Sequence, residues 1–200
     1  MTTTGSDASL AALIEQSGLD ATGRTGEPAS QVEYRFDPEA TVRLLATTIA
    51  RVHATAPSAS ADRVPLDPER LVARAEASIA AGRVTTHDLD PAYRHMSVER
   101  LLAVLAGGLG RASTDPDAMV LTHGAPTLEH LWCHDGRALG FVDWSAAALA
   151  DPYRDLAISA SSVASSFGPM LVPEFFDAYG LTHPDPLRLD WYALATQLVR

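Results

Sequence analysis

The sequence predicts an α+β domain, mostly α-helical, with one small β-hairpin near its centre. Three observations lead there. Apolar residues recur at helical spacing behind Asp-Pro and Ser starts, an Asp-Gly pair stands between two β-prone runs, and 46% of the 200 residues are apolar while only 20% are charged, enough for a real core. No apolar run is long enough to cross a membrane.

Residues 1–8 are rich in Thr, Ser and Gly and read as disordered. Leu10 to Ser17 predicts a short helix ended by Gly18, and the polar stretch Asp20 to Ser30 follows. Gln31 to Phe36 alternates Val, Tyr and Phe with polar neighbours, which fits a short strand or an extended linker. Residues 1–36 are thus expected to be an N-terminal extension and linker, and residues 37–200 the folded body. Asp37-Pro38-Glu39 supplies an N-cap and a proline at the first helical position, and Val42, Leu44, Leu45, Ile49 and Val52 continue the helix to His53. Asp67-Pro68-Glu69 opens a second helix that carries Leu71, Val72, Ala75 and Ile79 and stops at Gly82. Ser97 caps a third, running to Leu105, with Leu101, Leu102, Val104 and Leu105 as its apolar stripe.

The texture changes after Asp115-Pro116-Asp117. Ala118 to Thr122 is a short apolar run, and Leu131 to His134, Asp135-Gly136 and Leu139 to Val142 predict a tight hairpin. Helices return with Asp151 to Val163, Val172 to Tyr179 closed by Gly180, and Asp185 to Val199 opened by Asp185-Pro186.

Composition excludes several function classes. The formal charge is −10, and all fifteen basic residues are arginine, scattered singly, so no nucleic-acid face is expected. The absence of lysine removes Schiff-base chemistry and any phosphate-gripping ammonium. The single cysteine, Cys133, cannot form an internal disulfide, and Met1 to Asp7 has neither a basic start nor an apolar core, so a cytoplasmic location is expected.

His123-Gly124, His130, the Asp135-Gly136 turn, Gly140-Phe141-Val142-Asp143 and Ala150-Asp151-Pro152-Tyr153-Arg154-Asp155 follow one another in this order. This ordered series resembles the catalytic core of the aminoglycoside phosphotransferase family, above all its 3′-type members. The resemblance covers roughly residues 37–200 and implies a protein-kinase-like C-terminal lobe. It also implies that the N-terminal ATP lobe is absent, since only about 36 residues precede the first matched helix, too few for a five-stranded sheet.

Phosphoryl transfer needs a group oriented on the substrate hydroxyl and oxygen ligands for magnesium. The resemblance places these as His-Gly-Asp, an asparagine five residues later, and an aspartate after the hairpin. Here the first aspartate is replaced by Ala125 and the asparagine by His130, leaving Asp143. A methyl cannot orient a hydroxyl, and neutral imidazole is a poor ligand for Mg²⁺. The 3′-type enzymes grip polycationic substrates with carboxylates. A terminal pair of these falls on Thr196 and Gln197, and only Asp88 and Asp90 remain upstream. An arginine expected after the magnesium aspartate is replaced by Ser145-Ala146.

The sequence therefore predicts a degenerate member that transfers no phosphate and needs no cofactor. His130, Asp143, Glu129 and His123 are the candidate catalytic groups, His130 because an imidazole can act as general acid or base. Asp143 is read equally as a structural acceptor and His123 as a buried scaffold residue. Trp132, Trp144, Asp88, Asp90 and Ala125 are the candidate substrate contacts, with the tryptophans lining a cleft for an apolar small molecule or peptide. Such a cleft fits a nucleotide-independent acid/base reaction, a cyclisation, elimination or rearrangement in specialised metabolism. The alternatives are a non-catalytic partner whose uncovered apolar face takes a second copy or another protein, and a phosphotransferase completed in trans. No closed metal motif is visible among His123, His130, His134 and Asp143.

Overall fold

The computed structural model describes residues 4–55, 65–115 and 118–199. Its helices are α1 (Thr4–Ser17), α2 (Pro38–His53), α3 (Pro68–Ala80), α4 (Val98–Gly107), α5 (Tyr153–Phe167), α6 (Val172–Tyr179) and α7 (Pro186–Leu198). Its strands are β1 (Glu27–Pro28), β2 (Val120–Thr122), β3 (Leu131–His134), β4 (Arg137–Phe141) and β5 (Ala148–Ala150). An α+β chain dominated by helices with a central hairpin is what the sequence predicted.

Helix starts follow the capping chemistry. Asp37 accepts from the Ala40 N–H at 3.0 Å, Asp67 from Arg70 at 2.8 Å and Asp185 from Leu187 at 2.9 Å, each with proline in the first turn. Fixed proline φ and a side-chain acceptor settle the first turn before tertiary packing acts. In α4 the buried stripe is Val98, Leu101 and Leu105. Val104, expected in that stripe, is 49% exposed, because a period of 3.6 residues turns it away from the face that 98, 101 and 105 share.

Three segments depart from expectation. Residues 4–8, read as disordered, are the first turns of α1. Residues 32–36, read as strand or linker, form a 3₁₀ turn whose Tyr34 is buried and whose Tyr34 carbonyl accepts from the Thr41 hydroxyl at 2.7 Å. The stretch between them is also structural. Leu13, Leu19, Ala21, Ala29 and Tyr34 are buried; of these, all but Ala21 join the same apolar cluster as α2 and α5.

That stretch brackets the hairpin. β1 pairs antiparallel with β3, in the order β1-β3-β4. On the other edge the Phe141 N–H donates to the Leu19 carbonyl at 2.7 Å and the Ala21 N–H to the Phe141 carbonyl at 2.8 Å. Both hairpin edges are therefore covered. A separate antiparallel pair joins β2 with β5; the first lies in the stretch that read only as a short apolar run, and the second is a three-residue Ala-Leu-Ala run. Helices α5 and α7 pack together, and α2 packs on α6 while also meeting β2 and β4.

Candidate functional site

The site is built around the turn that follows β2. Asp155, fully buried near the start of α5, accepts from the His123 N–H at 2.7 Å and the Gly124 N–H at 2.8 Å. His53, at the end of α2, donates Nε2–H to the same carboxylate at 3.2 Å. An ionised carboxylate only accepts, so the His53 Nδ1 is left to accept from the Tyr179 hydroxyl at 2.8 Å. Burial pushes the Tyr179 hydroxyl up to about 12, so it stays a donor. Burial works against the charge on Asp155, but the hydrogen bond and proximity of His53, with Arg154 and His123, outweigh it and hold its pKa below the ordinary range.

His123 is fixed in turn. It is 0% exposed, donates Nε2–H to the Val142 carbonyl at 2.9 Å, and accepts at Nδ1 from the Ala125 N–H at 3.3 Å. Trp144 stands edge-on against it, with centroids 4.7 Å apart, and Phe141 lies at 5.0 Å. Burial depresses its pKa. His123 is a neutral scaffold residue with both ring nitrogens engaged. Arg154, 7% exposed, donates to the Thr122 hydroxyl at 2.9 Å and the Ala146 carbonyl at 2.8 Å. Gly124 has φ +93, and a Cβ there would come within 2.5 Å of both Arg154 Nη2 and the Ala146 carbonyl, so only glycine fits.

This frame faces a cleft of about 1180 Å³ whose lining includes Gly124, Ala125, Glu129, His130, Arg154 and Tyr192. Ala125 presents a methyl. His130 is half-buried, with Nδ1 2.9 Å from the Thr127 hydroxyl and its ring 5.9 Å from His123. Glu129 is exposed in the turn before β3. Glu129 and His130 precede β3, which begins at Leu131, and both line the cleft. Asp143 is exposed, holds φ +58, and accepts from the Ser145 N–H at 3.3 Å. Its hydrogen bonds to Ser145 lower its pKa. It lies outside the cleft lining, although the neighbouring Ser145 and Ala146 belong to it.

The expected aromatic walls are elsewhere. Trp132 sits in β3 opposite Pro28, packed over Gly26, where a Cβ would meet its Cδ1 at 2.7 Å. Trp144 donates to the Phe141 carbonyl at 3.1 Å and packs on His123. Neither lines the cleft. Asp88 also lies outside it and closes a capping box with Thr85 at 2.8 and 2.7 Å. Asp90 does line the cleft, but accepts from Gln197 at 3.0 Å while its N–H donates to the Gln197 side-chain oxygen at 2.9 Å.

In place of the tryptophans the cleft has Ser30, Thr127, Ser161, Ser162, Ser165 and Ser166, beside Tyr93 and Tyr192. The four α5 serines at i, i+1, i+4 and i+5 share one helix face, a spacing visible in the sequence that went unread. Arg74, Arg154 and Tyr192 were missed as well. Cys133 is buried with its thiol pushed up to about 11, an unreactive position.

A divalent cation finds a poor donor set. Asp143 supplies oxygen, but its expected partner is the imidazole of His130, and among the described residues no group of three His, Cys, Asp or Glu is gathered to hold a metal. The residues present do not fit magnesium held as in phosphoryl transfer.

Residues 10–192 match the model of the phosphotransferase enzyme family. The chain is 29% identical over 180 residues to an aminoglycoside 3′-phosphotransferase of Escherichia coli, covering 88% of this chain and 63% of that one. A Salmonella typhimurium aminoglycoside 3′-phosphotransferase is 29% identical over 177 residues, 86% of this chain and 62% of the relative. The chain thus spans under two thirds of the length of these relatives. Among solved structures, aminoglycoside phosphotransferase APH(3″)-Id from Streptomyces rimosus superposes with a TM-score of 0.75 at 24% identity, over 87% of this chain and 66% of that one. An aminoglycoside 3′-phosphotransferase of type VIII gives 0.68 at 26% identity, over 86% and 65%. These likenesses agree with the fold described above.

Proposed function

The chain belongs to the phosphotransferase enzyme family, and from that membership we propose that it keeps the family's substrate cleft as a small-molecule site while transferring no phosphate. The observation that carries this reading is Ala125. The turn around it is fully framed by Asp155, His53, His123 and Arg154, yet at the position of the substrate-orienting carboxylate it offers a methyl. A methyl stabilises no developing charge, and His130 beside it favours softer partners than magnesium. Both replacements lie inside the family match, so the reading does not depend on how much polypeptide lies outside it.

The ligand carries polar groups beside an apolar part, since Leu71, Tyr93, Ile158 and Tyr192 also line the cleft. Serine and threonine hydroxyls, Gln197, His130 and two arginines line the cleft, and the tryptophans that would have favoured an apolar guest are committed elsewhere. The His130–Thr127 pair is the group placed to exchange a proton with a bound hydroxyl or carbonyl.

Incubation with Mg·ATP and kanamycin tests the reading by mass spectrometry of the drug. No phosphorylated product is expected from the wild type. Product that forms with enzyme-dependent velocity and disappears in Asp143→Ala would overturn it.

A further inference from the structure

Two guanidinium groups line the cleft. Arg154, at the start of α5, is almost wholly buried, and its terminal nitrogens each meet one neutral acceptor, Thr122 Oγ1 and the Ala146 carbonyl. Arg74, midway along α3, is exposed, lines the same cleft, and makes no hydrogen bond or ion pair with any described residue. Burial depresses the Arg154 pKa; the Asp155 charge opposes that, and the Arg74 charge adds to it. The two cations therefore sense one another, and among the described residues no carboxylate forms an ion pair with either. Asp155 is filled by His53, His123 and Gly124. Asp151 is filled by Arg188, Ser113 and Tyr153. Of the two carboxylates that line the cleft, Asp90 is held by Gln197 near the end of α7, and Glu129 is exposed in the turn before β3.

We propose that Arg74 and Arg154 form an oxyanion subsite, so that the cleft takes a small molecule bearing a carboxylate or phosphate group, with its remaining polar atoms along the α5 serines. The proposal rests on the reading of the cleft as a small-molecule site and narrows its ligand class. Guanidinium offers a planar fork of donors suited to both anions, and an anion that meets one buried and one exposed guanidinium gains more than one on a single surface arginine. It also reverses the charge preference expected of a cleft built for polycations.

Isothermal titration of the whole chain with citrate, inorganic phosphate and kanamycin decides the matter. Citrate or phosphate should bind and kanamycin should not. Tighter binding of phosphate identifies a phosphoester ligand, and tighter binding of citrate a carboxylate. Arg74→Gln should weaken the preferred anion about tenfold without moving the melting temperature of the free protein, since Arg74 supports no described contact, and Arg74→Lys should recover part of the loss. Absence of anion binding up to about 10 mM, or equal binding by Arg74→Gln, overturns the subsite and leaves the phosphate-free reading standing. Phosphorylated kanamycin would overturn that reading instead.

Discussion

The Asp155 carboxylate carries the His123–Gly124 turn on its two oxygens and the α2 terminus through His53. Replacing it by Asn removes the charge and leaves donors facing an amide, so Asp155→Asn should lose about 3 to 5 kcal/mol in urea unfolding. Acid should act in the same direction. His123 is held below its ordinary pKa, so as pH falls below about 6.5 the unfolded chain takes a proton that the fold refuses. Asp155 is also depressed, and the stability it contributes is lost as pH drops below about 4. Calorimetry should therefore find a melting temperature that declines from pH 6.5 toward pH 5 and drops again below 4. A constant value from pH 7 to 5 would contradict the neutral His123. Tyr192 is the opposite case, a buried hydroxyl that makes no hydrogen bond among the described residues, and Tyr192→Phe should leave stability unchanged or raise it by up to about 1 kcal/mol. In the sequence Asp155 reads as a residue in the turn after a helix cap. Spacing along α5 could not show that His53, 102 positions away, shares its oxygen.

Among the elements, those that announce themselves locally were legible. The Asp-Pro and Ser starts name α2, α3, α4 and α7 because the cap, the proline and the first turn are neighbours in the chain, and Asp135-Gly136 names the hairpin because its φ values of 49 and 68 suit those residues. β1 and β5 were not legible. Glu27-Pro28 has no strand pattern of its own and exists because β3 offers it an edge, and Ala148–Ala150 is a strand only beside β2. The cleft's wall was misread for the same reason, since Trp132 faces Gly26 rather than ligand only once β1 lies across β3. The junction that holds the N-terminal stretch to β4 has one intolerant position. Gly140 has φ +135, and a Cβ there would sit 1.9 Å from the Leu19 carbonyl, so Gly140→Ala should cost about 3 kcal/mol or more and expose the amides of residues 19–21 to hydrogen exchange. Wild-type protection in that variant would show the contact to be dispensable.

At the scale of the whole molecule, the C-terminal helix is tied to the cleft rim through Asp90 and Gln197, the place where the 3′-type pattern would set carboxylates together. Gln197→Glu should set two like charges face to face, loosen residues 89–93, and speed their hydrogen exchange at pH 7 with partial recovery near pH 4. Unchanged exchange would mean the rim is held by packing alone. The N-terminal stretch makes a longer tie. Residues 19–29 bond to residues 131–141, so this stretch completes its hydrogen bonds only once the hairpin, far downstream in the chain, has been made. Until then Leu13, Leu19 and Ala29 have no hairpin to pack against, and closure of so long a loop places this step late and slow in folding. Synthesis rate and chaperone supply, acting on that waiting segment, should therefore govern the yield of native protein more than the helices that form early and alone.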